Sequence, residues 1–243
     1  MSLEDKIADA REQKGDLRDE LDRAKATHRP QGKRAAIKAK RKSLRDRINQ
    51  IEARIEKLRA KRKARRQGRS SKPTVVYTRI SPNKSSRGGV APSLIVLHST
   101  ESDNIPGSIQ DLVNLTNYFA LSSAQASSHV LTDSDGHSAR CVPDGDKAWT
   151  QAYYNPWCLS IEQIGRAASE RWTDAHVAET ARWIARWSKK YGIPIQRGSV
   201  SDGTIVRPGV VTHKDLSILG GGHVDPGANF PFDRCLELAK KFK

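Results

Sequence analysis

The chain has 243 residues, of which 36% are hydrophobic and 29% charged, with a formal net charge of +16 at neutral pH. That length suits one moderate domain with an appendage. No apolar run approaches the roughly 18 residues of a membrane span, and the start at Leu3-Glu4-Asp5 lacks the apolar stretch of a secretory signal, so unaided export is not expected. Three cysteines, Cys141, Cys158 and Cys235, are too few and too irregular for a disulfide framework or a paired-cysteine zinc motif. Three reduced, buried thiols are expected, with a single Cys141–Cys158 disulfide as the alternative.

The charge is unevenly placed. Residues 1–72 hold 25 Lys+Arg against 11 Asp+Glu, leaving 18 against 16 for the rest. Within residues 1–66, Leu3, Ile7, Ala10, Leu17, Leu21 and Ala24 recur at four-three spacing, as do Ile37, Leu44, Ile48, Ile51, Ile55 and Leu58, on either side of a break at Arg29-Pro30-Gln31-Gly32. This predicts a helical coiled-coil hairpin. Its first arm, 1–28, carries 6 basic and 8 acidic residues and its second, 29–72, carries 19 and 3, so antiparallel pairing sets an acidic helix beside a basic one. The second arm should outrun the first and expose Arg59 to Arg66. Residues 67–92, rich in Pro, Gly and Ser, read as a linker, with an edge strand over Thr74-Val75-Val76-Tyr77-Thr78.

Residues 93–243 alternate strand and helix patterns. Strands are expected at Leu94–Leu97, His129–Thr132, Ala139–Val142, Leu159–Ile164 and Val210–Thr212. Helices are expected after Ser108, from Thr173 to Gly192, and over Phe232–Phe242. The order implies an α/β fold, a central mixed β-sheet flanked by helices. His98 ends the run Leu94-Ile95-Val96-Leu97, His213 follows Val210-Val211-Thr212, and Asp225-Pro226-Gly227 sets a carboxylate on a turn. Two histidines and a carboxylate converging from strand ends and a loop form a three-ligand zinc site with an open fourth position, which would make the chain a hydrolase. A single histidine after a buried strand would otherwise read as a core residue.

In Leu159-Ser160-Ile161-Glu162-Gln163-Ile164, alternation puts Glu162 on the face of Ser160 and Ile164. A carboxylate there needs a partner, either a water at the metal or a cation in an edge-strand salt bridge. Trp149, Tyr153 and Asn155 precede that strand as candidate substrate-groove residues, with ordinary core filling as the alternative.

The set Leu97-His98-Ser99-Thr100, Ser128-His129-Val130-Leu131, Asp135-Gly136, Ala148-Trp149, Asn155, Ser160-Ile161-Glu162, Gly165, His213, Asp225-Pro226-Gly227 and Phe230-Pro231 resembles, in order, the zinc-dependent N-acetylmuramoyl-L-alanine amidases of the type-2 amidase and peptidoglycan-recognition-protein fold, many of them phage endolysins. The resemblance covers roughly residues 90 to 240. It implies zinc held by His98, His213 and Asp225, Glu162 as general base and then acid, and a groove along one sheet edge. It implies hydrolysis of the amide between N-acetylmuramic acid and the L-alanine of the stem peptide. His223 stands two residues before the carboxylate ligand, where many members carry lysine; as a catalytic group it would steady the oxyanion, and as a misplaced ligand it would crowd the metal. Ser128 stands where some relatives carry tyrosine.

The partner implied is peptidoglycan. The basic hairpin suits anionic cell-envelope polymers or lipid; a coiled-coil homodimer or spacer is the alternative. Specific nucleic-acid binding is not expected, since the arm has no Phe, Trp or Tyr to stack on bases. An endolysin reading places the chain in the host bacterial cytoplasm until it is released to the wall for host lysis. A noncatalytic peptidoglycan-binding module of the same fold is the other function class.

Overall fold

The computed structural model describes residues 2–26, 34–169 and 171–243, without the side chains of Ala26, Arg34 and 60–69. It divides into two compact units, Met1–Arg69 and Ser70–Lys243. No helix among the described residues is long and apolar enough to cross a membrane.

The first unit is a pair of helices, α1 (Leu3–Ala26) and α2 (Arg34–Arg69). The break expected at Arg29–Gly32 lies outside the described residues. Four-three spacing puts Ile7, Ala10, Leu17 and Leu21 on one face of α1 and Leu44, Ile48 and Ile55 on one face of α2, and all of these are buried. Lys14, which interrupts the apolar seam, pairs with Glu52 at 2.6 Å, and Arg18 reaches the same carboxylate at 3.3 Å. Lys40 pairs with Glu20 at 3.0 Å. The helices are therefore antiparallel, and their ion pairs run in both directions. Such exposed pairs contribute about 0–1 kcal/mol each, so the apolar seam carries the stability. Arg41 donates to the carbonyls of Ala24 (2.8 Å) and Lys25 (2.9 Å), satisfying the C-terminal end of α1. The 36 residues of α2 exceed the 24 of α1, and Arg59 is exposed; the cationic side chains beyond it lie outside the described residues.

The second unit is built on a six-stranded sheet. In chain order its strands are β1 (Val75–Thr78), β3 (Leu94–Ser99), β4 (Val130–Thr132), β5 (Ser138–Arg140), β7 (Cys158–Gln163) and β10 (Gly209–Thr212), while β2 (Lys84–Ser86) with β6 (Asp146–Ala148) and β8 (Ser199–Ser201) with β9 (Thr204–Arg207) form two small antiparallel pairs. The spatial order is β1-β5-β4-β7-β3-β10, parallel throughout except for β4 against β5. Strand β3 is buried along its whole length, which its unbroken apolar run requires.

One face of the sheet packs Ile95, Leu97, Leu159, Ile161 and Val210 against Val177, Ile184, Trp187 and Leu236 of helices α4 (Asp174–Tyr191) and α5 (Phe232–Phe242). The other face carries α3 (Gln110–Phe119) over Leu131 and Ala139. Thr173 caps α4 by accepting the His176 N–H, and Gly192 at φ 72° ends it. Helix α3 begins two residues after Ser108, whose hydroxyl accepts the Gln110 N–H.

Residues 70–92 correct the linker reading. β1 is the expected edge strand, but the segment around it is fastened into the second unit by buried polar groups. The Asn83 amide donates to the carbonyls of Phe119, Leu121 and Ala126. Buried Arg87 donates to those of Asp144, Pro156 and Cys158. The Thr74 N–H is accepted by Glu179, itself buried and paired with Arg182 at 2.9 Å. Loop composition reports an absence of helix and strand, and says nothing about whether the loop is buried with its hydrogen bonds satisfied. All three cysteines are free and buried; Cys141 and Cys158 lie in separate apolar clusters, so the alternative disulfide does not form.

Candidate metal centre

Parallel pairing sets His98 opposite Glu162 and Leu97 opposite Thr212, so the C-terminal ends of β3, β7 and β10 gather at one edge of the unit. His98 ends β3 and His213 follows β10 directly. Asp225 enters from the loop after a glycine-rich turn and accepts the Ser99 N–H at 3.0 Å. The ligating atoms of His98, His213 and Asp225 lie within 4.8 Å of one another, and all three residues are buried. The two Nδ1 atoms are 2.9 Å apart, and Asp225 oxygens lie 3.1 Å from His213 Nδ1 and 3.5 Å from His98 Nδ1. These spacings bracket the ~3.3 Å edge of a tetrahedron with metal–ligand bonds of about 2.0–2.1 Å.

The donor chemistry fits a cation. His213 Nε2 lies 2.8 Å from the Gly220 carbonyl, an acceptor only, so this nitrogen carries a proton and Nδ1 is the nitrogen turned inward toward His98 and Asp225. Burial pushes the His98 imidazole down to about 4, so it is neutral at neutral pH, as a ligand must be. For Asp225 burial opposes ionisation, but hydrogen bonds to His213 and His98 outweigh it and hold the carboxyl well below the usual range. Two inward Nδ1 atoms and a carboxylate at these distances need positive charge between them, supplied by a shared proton in the metal-free centre and by a cation when one is bound.

Glu162 lies on a central strand, with its side chain 12% exposed and its Oε1 4.0 Å from His98 Nδ1. No Lys or Arg pairs with it among the described residues, which removes the edge-strand salt bridge as an explanation. Its carboxyl is pushed up to about 8 by burial first, then by Asp225 and Glu101.

That shift has a measurable consequence in metal-free protein. Up to about its ordinary value of 4.5 the carboxyl is protonated in folded and unfolded chains alike. Between there and 8 the unfolded chain releases a proton that the folded one keeps, so stability is lost as pH rises and the loss is complete above 8. Glu162→Gln should match wild type at pH 4 and exceed its unfolding free energy by on the order of 2 kcal/mol at pH 9. Denaturant melts that coincide at pH 9 would contradict the burial of this carboxylate.

His223 is exposed and stacks on His213, with ring centroids 4.6 Å apart, on the solvent side and outside the three-residue donor set. Gly221 makes that stacking feasible: at φ 116° a side chain is strained, and a Cβ would stand 3.1 Å from the His223 ring. Exposed Ile218, Leu219 and Val224 form an apolar rim beside it. Trp149 Nε1 donates to Ser85, and the Asn155 side chain accepts the N–H groups of Thr150 and Gln151, so both fasten the loop they stand on. Tyr153 is exposed and leans on Tyr154 and Trp157, and its turn, 152–157, packs against the 218–220 turn that supplies the Gly220 carbonyl.

A cavity of about 530 Å³ borders Asp225, lined in part by Arg197, Lys214, Val224 and Phe230; none of Trp149, Tyr153 and Asn155 borders it. His129 is a buried structural residue between Arg87 (2.8 Å) and Ser160 (2.9 Å). The sequence reading missed the Gly220 carbonyl, Gln151 and Glu101. The first is a backbone atom with no residue-type signal.

A mixed sheet whose strand ends gather two imidazoles and a carboxylate carries a donor set of the kind that can hold a divalent metal ion. Residues 88–228 match the N-acetylmuramoyl-L-alanine amidase family, and the chain belongs to that family. N-acetylmuramoyl-L-alanine amidase A of Achromobacter lyticus is 29% identical over 153 residues, 60% of this chain and 82% of that relative. The Staphylococcus aureus hydrolase AmiA, solved in complex with its ligand, shares the fold with a TM-score of 0.52 and 22% identity, over 70% of this chain and 83% of that one.

Proposed function

We propose that this chain is a zinc-dependent N-acetylmuramoyl-L-alanine amidase that hydrolyses the amide joining the lactyl group of N-acetylmuramic acid to L-alanine in peptidoglycan. The observation that carries the reading is the convergence of His98, His213 and Asp225 within 4.8 Å beside Glu162, a largely buried carboxylate 4.0 Å from His98 with no Lys or Arg partner among the described residues. Zinc held by these three residues would supply Lewis acidity toward the scissile carbonyl and toward water. Glu162 takes the proton of the attacking water and returns it to the leaving amine, a task suited to a carboxyl whose burial raises its proton affinity. A cation at the three ligands lowers that affinity again, so the two effects together set the working range of the base. His223, at the solvent edge of His213, donates to the oxyanion as charge develops. Tyr153 and the rim of Ile218, Leu219 and Val224 offer the apolar surface for the sugar and peptide. Loss of wall turbidity on adding the protein, abolished by chelator and restored by zinc, tests this reading against a noncatalytic wall-binding module.

The lytic setting belongs to the same proposal: an endolysin that acts from the host cytoplasm on the wall, delivered by its basic hairpin to anionic envelope polymers or lipid. A chain beginning at Ser70 keeps every proposed ligand and catalytic group, so it should cleave soluble muropeptide at the full-length rate. It should lyse whole walls more slowly, and the gap should close as salt passes roughly 0.3 M, where screening shortens the reach of surface charge. A gap insensitive to salt would favour avidity through a hairpin-mediated homodimer, visible as a doubled mass in solution.

A further inference from the structure

The two histidines of the centre are braced differently. His213 has its Nε2 held by a backbone carbonyl, whereas His98 Nε2 is buried with no hydrogen-bond partner among the described residues. Gln151 is also fully buried, and neither atom of its side-chain amide has a partner of ordinary geometry. The amide stands close to both the His98 ring and the Cys158 thiol. Unmet polar groups in the interior are rare, and two facing each other beside a metal ligand point to a shared task.

The surrounding backbone holds Gln151 in place. Its N–H is accepted by Asn155 at 2.8 Å, its carbonyl accepts the Tyr154 N–H at 3.0 Å, and Ala152 next to it is turned to φ 45°. The chemistry of the pair then leaves one arrangement. With Nδ1 given to the metal beside His213 and Asp225, Nε2 is the proton-bearing nitrogen of His98, and the only side-chain acceptor Gln151 offers is its amide oxygen. The amide NH2 is left to turn toward Cys158.

We propose that Gln151 is a positioning residue of the metal centre: its amide oxygen takes the Nε2–H of His98 and so fixes the tautomer and ring orientation that present Nδ1 to the metal. The inference rests on reading His98 as a ligand. It assigns to Gln151 the outer brace that Gly220 gives His213, supplied by a side chain that mutation can remove.

The test compares wild type, Gln151→Leu and Gln151→Glu by zinc affinity, measured in competition with a chromophoric chelator, alongside thermal unfolding of each metal-free protein. Gln151→Leu should bind zinc about 10–100-fold more weakly, and its metal-free form should melt lower than wild type, because the buried Nε2–H of His98 is left without an acceptor. Gln151→Glu keeps an acceptor at the same reach and should retain wild-type affinity within about threefold, or bind more tightly. Wild-type affinity in Gln151→Leu, or equal weakening in both variants, overturns the role of Gln151 while leaving the metal centre standing. Should neither variant fold, the side-chain nitrogen spectrum of the zinc-loaded wild-type protein decides: a protonated His98 Nε2 is expected, and an unprotonated one overturns the proposal. A wild-type protein that binds no zinc overturns the centre itself and the brace with it.

Discussion

Alanine at any one of His98, His213 or Asp225 is expected to remove bound zinc and hydrolysis together. Each residue supplies one of three protein donors, and the remaining two cannot hold a divalent cation against water at ordinary concentrations. The loss should exceed the roughly 10–100-fold that follows removal of an outer partner. Asp225→Ala should be the most informative, because it also takes the acceptor from the Ser99 N–H and the carboxylate that lies against both imidazoles. Metal analysis and turnover on the same preparations check this. Stoichiometric zinc in an active Asp225→Ala protein would remove that carboxylate from the centre.

Glu162→Gln is expected to separate binding from chemistry. The amide keeps the shape of the carboxylate but cannot accept a proton, so zinc should bind as in wild type while turnover falls by about a hundredfold or more. Glu162 makes no ion pair with Lys or Arg among the described residues, so the substitution breaks no structural pairing of that kind, and its Oε1 lies 4.0 Å from His98 Nδ1. Near-normal turnover would make Glu162 a structural residue of the central strand.

Much of this architecture is legible in the residues themselves. A histidine that closes a β-branched run must emerge at a strand end, and His98 and His213 do; parallel pairing of β3 with β10 then brings them together without any signal in the sequence itself. The bounds of α4 and α5 follow from Thr173, Gly192 and the apolar period, because caps and faces are local physics. The hairpin seam is legible for the same reason, and Lys14 breaks it only because Glu52 waits across the pair.

Other features depend on partners remote in sequence. The stretch near residues 81–87 has the composition of a linker, yet Asn83 and Arg87 are buried because carbonyls from 119–126 and 144–158 meet them. Asn155 has the residue type of a substrate contact and is engaged by the N–H groups of its own turn. Gln151 carries no charge and titrates nowhere, so nothing in the sequence distinguishes it from a surface glutamine until burial against His98 does.

The most direct measurement of the central claim is mass spectrometry of purified cell walls digested by the metal-stripped protein and by the same protein with zinc restored. The account predicts intact walls without zinc, and with zinc it predicts stem peptides bearing a free L-alanine amino group together with glycan whose lactyl carboxylates are unmasked. Cleavage at a glycosidic or peptide–peptide bond, or release of the same products with and without zinc, would contradict it.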